Sequence, residues 1–421
     1  MKVLIVNENP MEKLGEAYYS VYSWIRFPCF LASQFDETTL WCPIRALREH
    51  RDLTPGVWPV MLGRLRIAPL DHYDSFLQYY RLLPRRYLAW RRQAEELIRS
   101  HDLTIVRVPS PMLPLLSRAA LRLGKPLVLI IAGDLEKQSS RVAGTRGLRR
   151  AMNLPLARHF VAKERRSARR AALVYAYSDD LAGRHGGANG RVRLMRTPLL
   201  SMREIGARDD TCLGTEVRLL RVCWLQPSKG LECLLRAVAA LAAQGLPVRL
   251  QIAGREKAAG YQRTLAELAD RLGVGSRVEF SGWVPFDRME RVYAAGDLQV
   301  ISSLAEGTPR CIVEGAARGV PLVSTTAGGC ATFLEDRANA LLVPPESPEA
   351  MAGAVREVIL DGTLRRLLIQ GGYRMAREST FEKLGMRFVE EVRAVVGESK
   401  VDGNRSEGRK VKARSGEPRD G

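Results

Sequence analysis

The chain has 421 residues, enough at about 100 to 200 residues per domain for two or three domains with a sizeable buried core. Hydrophobic residues make up 46%, charged residues 26% and aromatic residues 7%, which excludes a disordered, collagen-like or fibrous bulk. The net charge of +19 is uneven: residues 1–205 carry 34 Lys or Arg against 18 Asp or Glu, leaving +3 for the remainder.

In chain order, the first half places short apolar runs at 3–6, 104–108, 126–132, 173–177 and 192–195. The second half places them at 217–225, 248–253, 277–280, 297–301, 320–324 and 340–343, with helical patterns at 231–243, 262–272, 286–295, 309–318 and 348–360. Strands of this length alternating with helices predict parallel sheets covered on both faces. The periodicity breaks near 200–215, so the expected organisation is a domain over 1–205, a second over 206–380, a closing helix over 381–397 packing back towards the first domain, and a disordered basic tail over 398–421. The run at 3–6 is too short for a signal peptide, and 126–132 falls well short of the roughly 20 residues of a membrane span. The seven cysteines include no C-x-x-C pair and read as reduced thiols. Histidines 50, 72, 101, 159 and 185 have no metal-ligand spacing, so no metal is expected.

The richest segment runs from Ser302 to Pro321. Its pattern predicts a strand end, a loop, and a helix capped by Thr308 with Pro309 at its first position and Gly319 at its close. Glu306 falls in the loop and Glu314 in the second turn, beside a helix start that favours anions. Carboxylates there are suited to accept hydrogen bonds from sugar and ribose hydroxyls; the alternative is a pair of solvated helix-start acids. Lys229 and Gly230 stand at a second strand-to-helix junction, where a cation suits a diphosphate. Gly254 with Arg255, and Gly282 with Trp283 and Val284, end strands with room for a flat base against the backbone, and Gly328 with Gly329 is another glycine-rich turn on the same rim.

From Val222 to about Phe381 the chain resembles the donor-binding half of retaining glycosyltransferases of family 4. The resemblance rests on Pro227-Ser228-Lys229-Gly230-Leu231, Leu250-Gln251-Ile252-Ala253-Gly254, Val278-Glu279-Phe280-Ser281-Gly282, Glu306-Gly307-Thr308-Pro309 through Glu314 to Pro321, and Thr326-Ala327-Gly328-Gly329. The first half is more loosely similar, through 2–6, 131–134 and 177–181, and the flavour is that of bacterial surface-polysaccharide enzymes. The resemblance implies an α/β GT-B fold, two doubly wound Rossmann-like domains facing an interdomain cleft, and metal-independent transfer of a sugar from a UDP- or GDP-linked donor with retention. It implies that Glu306 holds the transferring sugar with Gly307, Thr308, Pro309 and Arg310 around it. Glu314 would take the ribose, Lys229 the diphosphate, and the turns at Gly254 and 282–284 the base. Asp134 is the candidate for acceptor contact, with a helix N-cap as its other reading. Where the family usually has Gly-Arg at the end of the first strand of this half, this chain has Cys223-Trp224. Arg310 or Arg255 is the expected substitute for the absent guanidinium.

The segment 79–92 mixes Arg with Tyr79, Tyr87, Leu88 and Trp90 on a helical period, a composition suited to an anionic membrane surface. A second basic cluster spans 146–170; solvated Arg-rich helices are the plainer explanation of both. The expectation is a cytoplasmic protein, peripheral at the inner membrane face, acting on a glycan or lipid-linked acceptor. Nucleic-acid binding is the rival reading of the charge, unsupported by any helix-turn-helix, zinc-finger or RNP-like signature. A non-catalytic sugar-nucleotide binder is the rival reading of Trp224.

Overall fold

The computed structural model describes residues 1–73, 76–133, 148–177, 179–185, 191–195, 198–306, 309–328, 330 and 334–397. Asp134, Gly307, Thr308, Gly329 and the tail 398–421 lie outside the described residues. Contacts divide the chain into unit 1 (Met1–Leu53, Pro59–Arg196, Gly385–Gly421) and unit 2 (Thr54–Trp58, Thr197–Leu384).

Unit 1 is built on β1 (Lys2–Val6), β2 (Met11–Leu14), β3 (Ala17–Ser20), β4 (Glu37–Leu47), β5 (Trp58–Pro59), β6 (Leu65–Leu70), β7 (Leu103–Val108), β8 (Leu127–Ile131), β9 (Leu173–Ala176) and β10 (Val192–Leu194). The sheet order is β10-β9-β8-β7-β1-β4-β2-β3-β5, with β6 also paired to β4. The pairings that join β6, β4, β1, β7, β8, β9 and β10 are parallel. Because β4 and β7 lie on opposite sides of β1, the winding reverses between β1 and β7. The apolar runs form the central strands. The pattern did not announce β4 and β6, since each contains a proline, and proline argues against a paired strand. Here Pro43 and Pro69 fall in the same stretch of ladder, Cys42 opposite Pro69 and Pro43 opposite Leu70.

Unit 2 has a six-stranded, wholly parallel sheet of β11 (Val217–Val222), β12 (Val248–Ala253), β13 (Val278–Gly282), β14 (Leu298–Ile301), β15 (Leu322–Thr325) and β16 (Leu341–Val343), in the order β13-β12-β11-β14-β15-β16. Leu219, Leu250 and Val300 pack with Leu235 and Val238 of the helix Leu231–Ala243, Leu265 of Tyr261–Arg271 and Val355 of Pro348–Leu360. Each such fully buried side chain contributes about 1.5 to 3 kcal/mol. Again the winding reverses, between β11 and β14, so the loops leaving their carboxyl ends diverge and leave a crevice where doubly wound sheets take ligands.

The structure revises several expectations. The chain passes to unit 2 before residue 205, because Leu199 and Leu200 run beside Ser379 to Phe381: the Leu199 amide donates to the Ser379 carbonyl at 3.0 Å and that of Phe381 to Leu200 at 2.8 Å. The α-helical part of the closing segment starts at 386 rather than 381; through 397 it belongs to unit 1, the first domain, the side on which a closing helix is expected. There Phe388 meets Phe27 and Tyr175 with ring centroids 5.2 and 4.9 Å apart, and the Tyr175 hydroxyl donates to Glu391 at 2.5 Å. The helix Phe76–Ser100 does not offer Tyr79 and Trp90 to a membrane. Both are buried, stacked at 5.1 Å, and share the core-facing stripe with Ala94 and Ile98. Its exposed face carries Arg81, Arg85, Arg86, Tyr87, Leu88, Arg91 and Arg92, with Arg86 paired to Asp71. Among the described residues no helix is long and apolar enough to cross a membrane.

Candidate active site

Two loops of unit 2 meet at the winding reversal. After β11 the chain makes a short turn, Pro227–Lys229, and enters the helix Leu231–Ala243 through Gly230. Gly230 has φ of 60°, and a Cβ there would lie 2.0 Å from the Ser302 carbonyl oxygen, so only glycine lets the two loops touch. The loop after β14 is then knitted to this turn. The Ser302 hydroxyl donates to the Lys229 carbonyl at 2.9 Å and the Leu304 amide to the Ser228 carbonyl at 2.9 Å. From the β15 side, Thr325 Oγ1 donates to the Ser303 carbonyl at 2.6 Å. Beyond β15, Gly328, with φ of 54°, brings its turn against the backbone of Glu306, where a Cβ would stand 2.4 Å from the Glu306 carbonyl.

These contacts set the side chains. Lys229 Nζ donates to Glu306 Oε1 at 2.7 Å, and Ser303 Oγ donates to the same oxygen at 2.6 Å. Arg221, in β11 and 0% exposed, donates from Nη2 to Ser303 Oγ at 2.7 Å and stands 3.8 Å from Glu306 Oε1. Burial works to raise the Glu306 carboxyl, but Lys229, Arg221 and the two hydrogen bonds outweigh it and hold the group below its ordinary value. All these contacts fall on Oε1.

Glu314 is not part of that pair. Its Oε2 accepts from the buried Tyr293 hydroxyl at 2.9 Å, and Oε1 lies 3.7 Å from Arg310 one helical turn away. The Cys311 thiol lies within electrostatic reach of both Glu306 and Glu314; burial pushes it up to about 12, so it stays a neutral, core-facing group. The helix carrying Glu314 starts one residue later than its pattern implies: Arg310–Ala316, with Pro309 at the cap position. Pro309 cannot donate to the backbone network.

On the other side of β11, Leu225 pairs with the turn after β12, its amide donating to the Arg255 carbonyl at 2.9 Å. This places the Arg255 guanidinium 4.9 Å from the Trp224 ring centroid and 5.2 Å from that of Trp283, the two rings 5.4 Å apart. The Gly254 amide donates to Gly282 at 2.7 Å, drawing the turn before the half-buried Val284 alongside. Trp283 Nε1 donates to the Gly56 carbonyl at 3.1 Å, and Trp58 packs on Phe286, so the segment Thr54–Trp58 lines this aromatic edge. Neither Arg255 nor Arg310 therefore joins the Lys229–Glu306 pair; Arg221 does. Sequence reasoning passed over Arg221, Ser303 and Tyr293. The available signal was a charge near the end of a central apolar strand, where burial demands a partner.

Unit 1 repeats the topology with other chemistry. Glu8, just after β1, accepts from the hydroxyls of Ser110, beyond β7, and of Tyr73. Burial raises its carboxyl from 4.5 to about 7 against these two hydrogen bonds.

The six-stranded order, the paired loops at its reversal and a second doubly wound unit together are the architecture of GT-B glycosyltransferases. Residues 216–361 match the family described as glycosyl transferases group 1. The chain is 36% identical over 145 residues to the lipopolysaccharide core biosynthesis glycosyltransferase LpsE of Rhizobium meliloti, covering 34% of this chain and 40% of that protein. It is 30% identical over 181 residues to an uncharacterized glycosyltransferase of Methanocaldococcus jannaschii, covering 43% of each. The chain thus spans about two fifths of the length of these curated relatives. In fold it is similar to HepE of Anabaena, solved in complex with UDP, with a TM-score of 0.68 at 18% identity, covering 94% of this chain and all of that one. It is similar also to sucrose-phosphate synthase of Thermosynechococcus elongatus, with a TM-score of 0.71 at 16% identity, covering 94% and 99%.

Proposed function

We propose that the protein transfers a glycosyl group from a nucleotide sugar to an acceptor hydroxyl, with retention and in the manner of family 4. The observation that carries this reading is the Lys229–Glu306 pair at the winding reversal of a group 1 domain. On this reading a diphosphate takes Lys229, and the amino end of the helix Leu231–Ala243 adds a positive dipole, so charge growing on the leaving group is met without a metal. Glu306 Oε2 accepts a hydroxyl of the transferring sugar, Glu314 serves the ribose, and the Trp224, Arg255 and Trp283 edge covers the base. Gly307, Thr308 and Gly329 are proposed as further donor residues, and Asp134 for acceptor contact. The UDP seen in the HepE complex favours UDP over GDP as the donor nucleotide.

The acceptor we propose is a glycan or lipid-linked precursor at the cytoplasmic membrane face, an idea supported by the LpsE likeness and by the basic face of the helix Phe76–Ser100. The test is a panel of UDP-, GDP- and ADP-sugars screened for a rise in melting temperature and then for release of nucleoside diphosphate with and without EDTA. A ligand at 100 times its Kd adds about 2.7 kcal/mol of apparent stability. Stabilisation with EDTA-insensitive release supports the enzyme; stabilisation without release leaves a non-catalytic binder; no stabilisation by any member removes the reading.

A further inference from the structure

We propose that Arg221 is the positioning residue of the donor site, holding Glu306 in place through Ser303 when a diphosphate draws Lys229 away. The proposal rests on the glycosyl-transfer reading above and adds to it a residue that touches no substrate.

Lys229 is the nearest cation to Glu306, at 2.7 Å, and it is also the group that would serve a diphosphate. Occupied by phosphate, it leaves a carboxylate that is only 8% exposed short of a counter-charge. Arg221 remains, 3.8 Å away and tied to the same Oε1 by the Ser303 hydroxyl. The guanidinium is wholly buried, and its Nε and Nη1 have no hydrogen-bond partner among the described residues. A buried cation left so incompletely bonded weakens the fold rather than strengthening it, so packing alone does not account for it.

The placement also answers the absent guanidinium at Trp224. That ring is 38% exposed and lies beneath Arg255, so no charge at position 224 faces the loop. Position 221 carries it from inside the sheet instead. The other titratable groups near Glu306 are the thiols of Cys223, Cys311 and Cys330; burial raises all three, and they are neutral at physiological pH. The ionisation of Glu306 therefore depends on two cations, one of which substrate removes.

The experiment uses the full chain with Arg221→Met, Arg221→Lys, Ser303→Ala and Lys229→Met. The Glu306 carboxyl is followed by 13C NMR, assigned with Glu306→Gln, and UDP release from UDP-glucose is measured against pH. In Lys229→Met the carboxyl should still titrate below its ordinary value, and adding Arg221→Met should raise it above. Arg221→Met should lower kcat roughly tenfold or more with KM nearly unchanged, and move the acid limb of kcat up by about one pH unit. Arg221→Lys should recover most of both, and Ser303→Ala should shift the limb the same way by less. If Arg221→Met fails to fold, the lysine and alanine variants carry the test. An unmoved acid limb, or a Glu306 midpoint indifferent to Arg221, overturns the proposal. A wild type that neither binds nor cleaves any sugar nucleotide instead overturns the transfer reading, and the NMR titration separates the two failures.

Discussion

In unit 2 the loops leaving β11 and β14 converge on Glu306, which is approached by two cations and held ionised. In unit 1 the loops leaving β1 and β7 converge on Glu8, which is enclosed by hydroxyls, with no cation among the causes of its shift, and is pushed up to about 7. The sheets share their winding, so the position open to a polar group is the same in both. What differs is the strand beside it: β11 carries Arg221 as its last residue but one and leads on to Lys229, whereas β1 is apolar from Val3 through Val6 and leads on to Asn7 and Glu8. Topology chooses the place, and one or two flanking residues choose the charge state.

The comparison breaks first at Glu306. Glu306→Gln should lower turnover by about 100-fold or more while changing donor affinity only a few-fold, because the lost charge matters most as the leaving group departs; kcat and Kd measured separately on UDP-glucose decide it. Next comes the pH dependence of stability. Glu8 is raised in the folded state, so its contribution is most favourable below about 4.5 and is lost as pH climbs to about 7, some 3 kcal/mol in all. Urea unfolding at pH 5 and pH 8 should show that slope, and Glu8→Gln should flatten it. Glu306 has the opposite sign, stabilising above its unfolded value and losing this as pH falls through its lowered folded one. Lys229→Met should weaken UDP binding and turnover together, about tenfold or somewhat more each; a change confined to one of them contradicts the diphosphate role.

The smallest expected effect concerns the other contrast between the halves, their net charge. The full chain should sediment with anionic but not neutral vesicles at low salt, each exposed Arg of the helix Phe76–Ser100 adding about 1 kcal/mol, and salt should release it. Charge reversal at Arg81, Arg85, Arg91 and Arg92 should abolish this; sedimentation indifferent to lipid charge removes the membrane proposal.

The second sheet was legible because its strands are short, largely apolar segments alternating with helical patterns and glycine turns, and the turn residues at Gly230 and Glu306 carry their own spacing signal. β4 and β6 were hidden by Pro43 and Pro69. The helix Phe76–Ser100 was misread by composition: Tyr79 and Trp90 are eleven residues apart, three helical turns, and so share a face with Ala94 and Ile98. Counting the period would have buried them. Arg221 was out of reach because its meaning depends on Ser303, 82 residues on, and nothing local links the two.

The helix at 386–397, seated on Phe27 and Tyr175, has a consequence for synthesis. Unit 2 occupies Thr197–Leu384 almost without interruption, whereas unit 1 waits for residues beyond Gly385. At about 5 to 20 residues per second, the ribosome exposes an unfinished first unit for on the order of ten to forty seconds. The inserted unit is free to fold first, and the amino-terminal sheet keeps an apolar surface open to chaperones until 386–397 emerges. Nonsense mutations near the carboxyl terminus should therefore unfold the amino-terminal half and spare the middle of the protein, an outcome readable by limited proteolysis of the truncated chains.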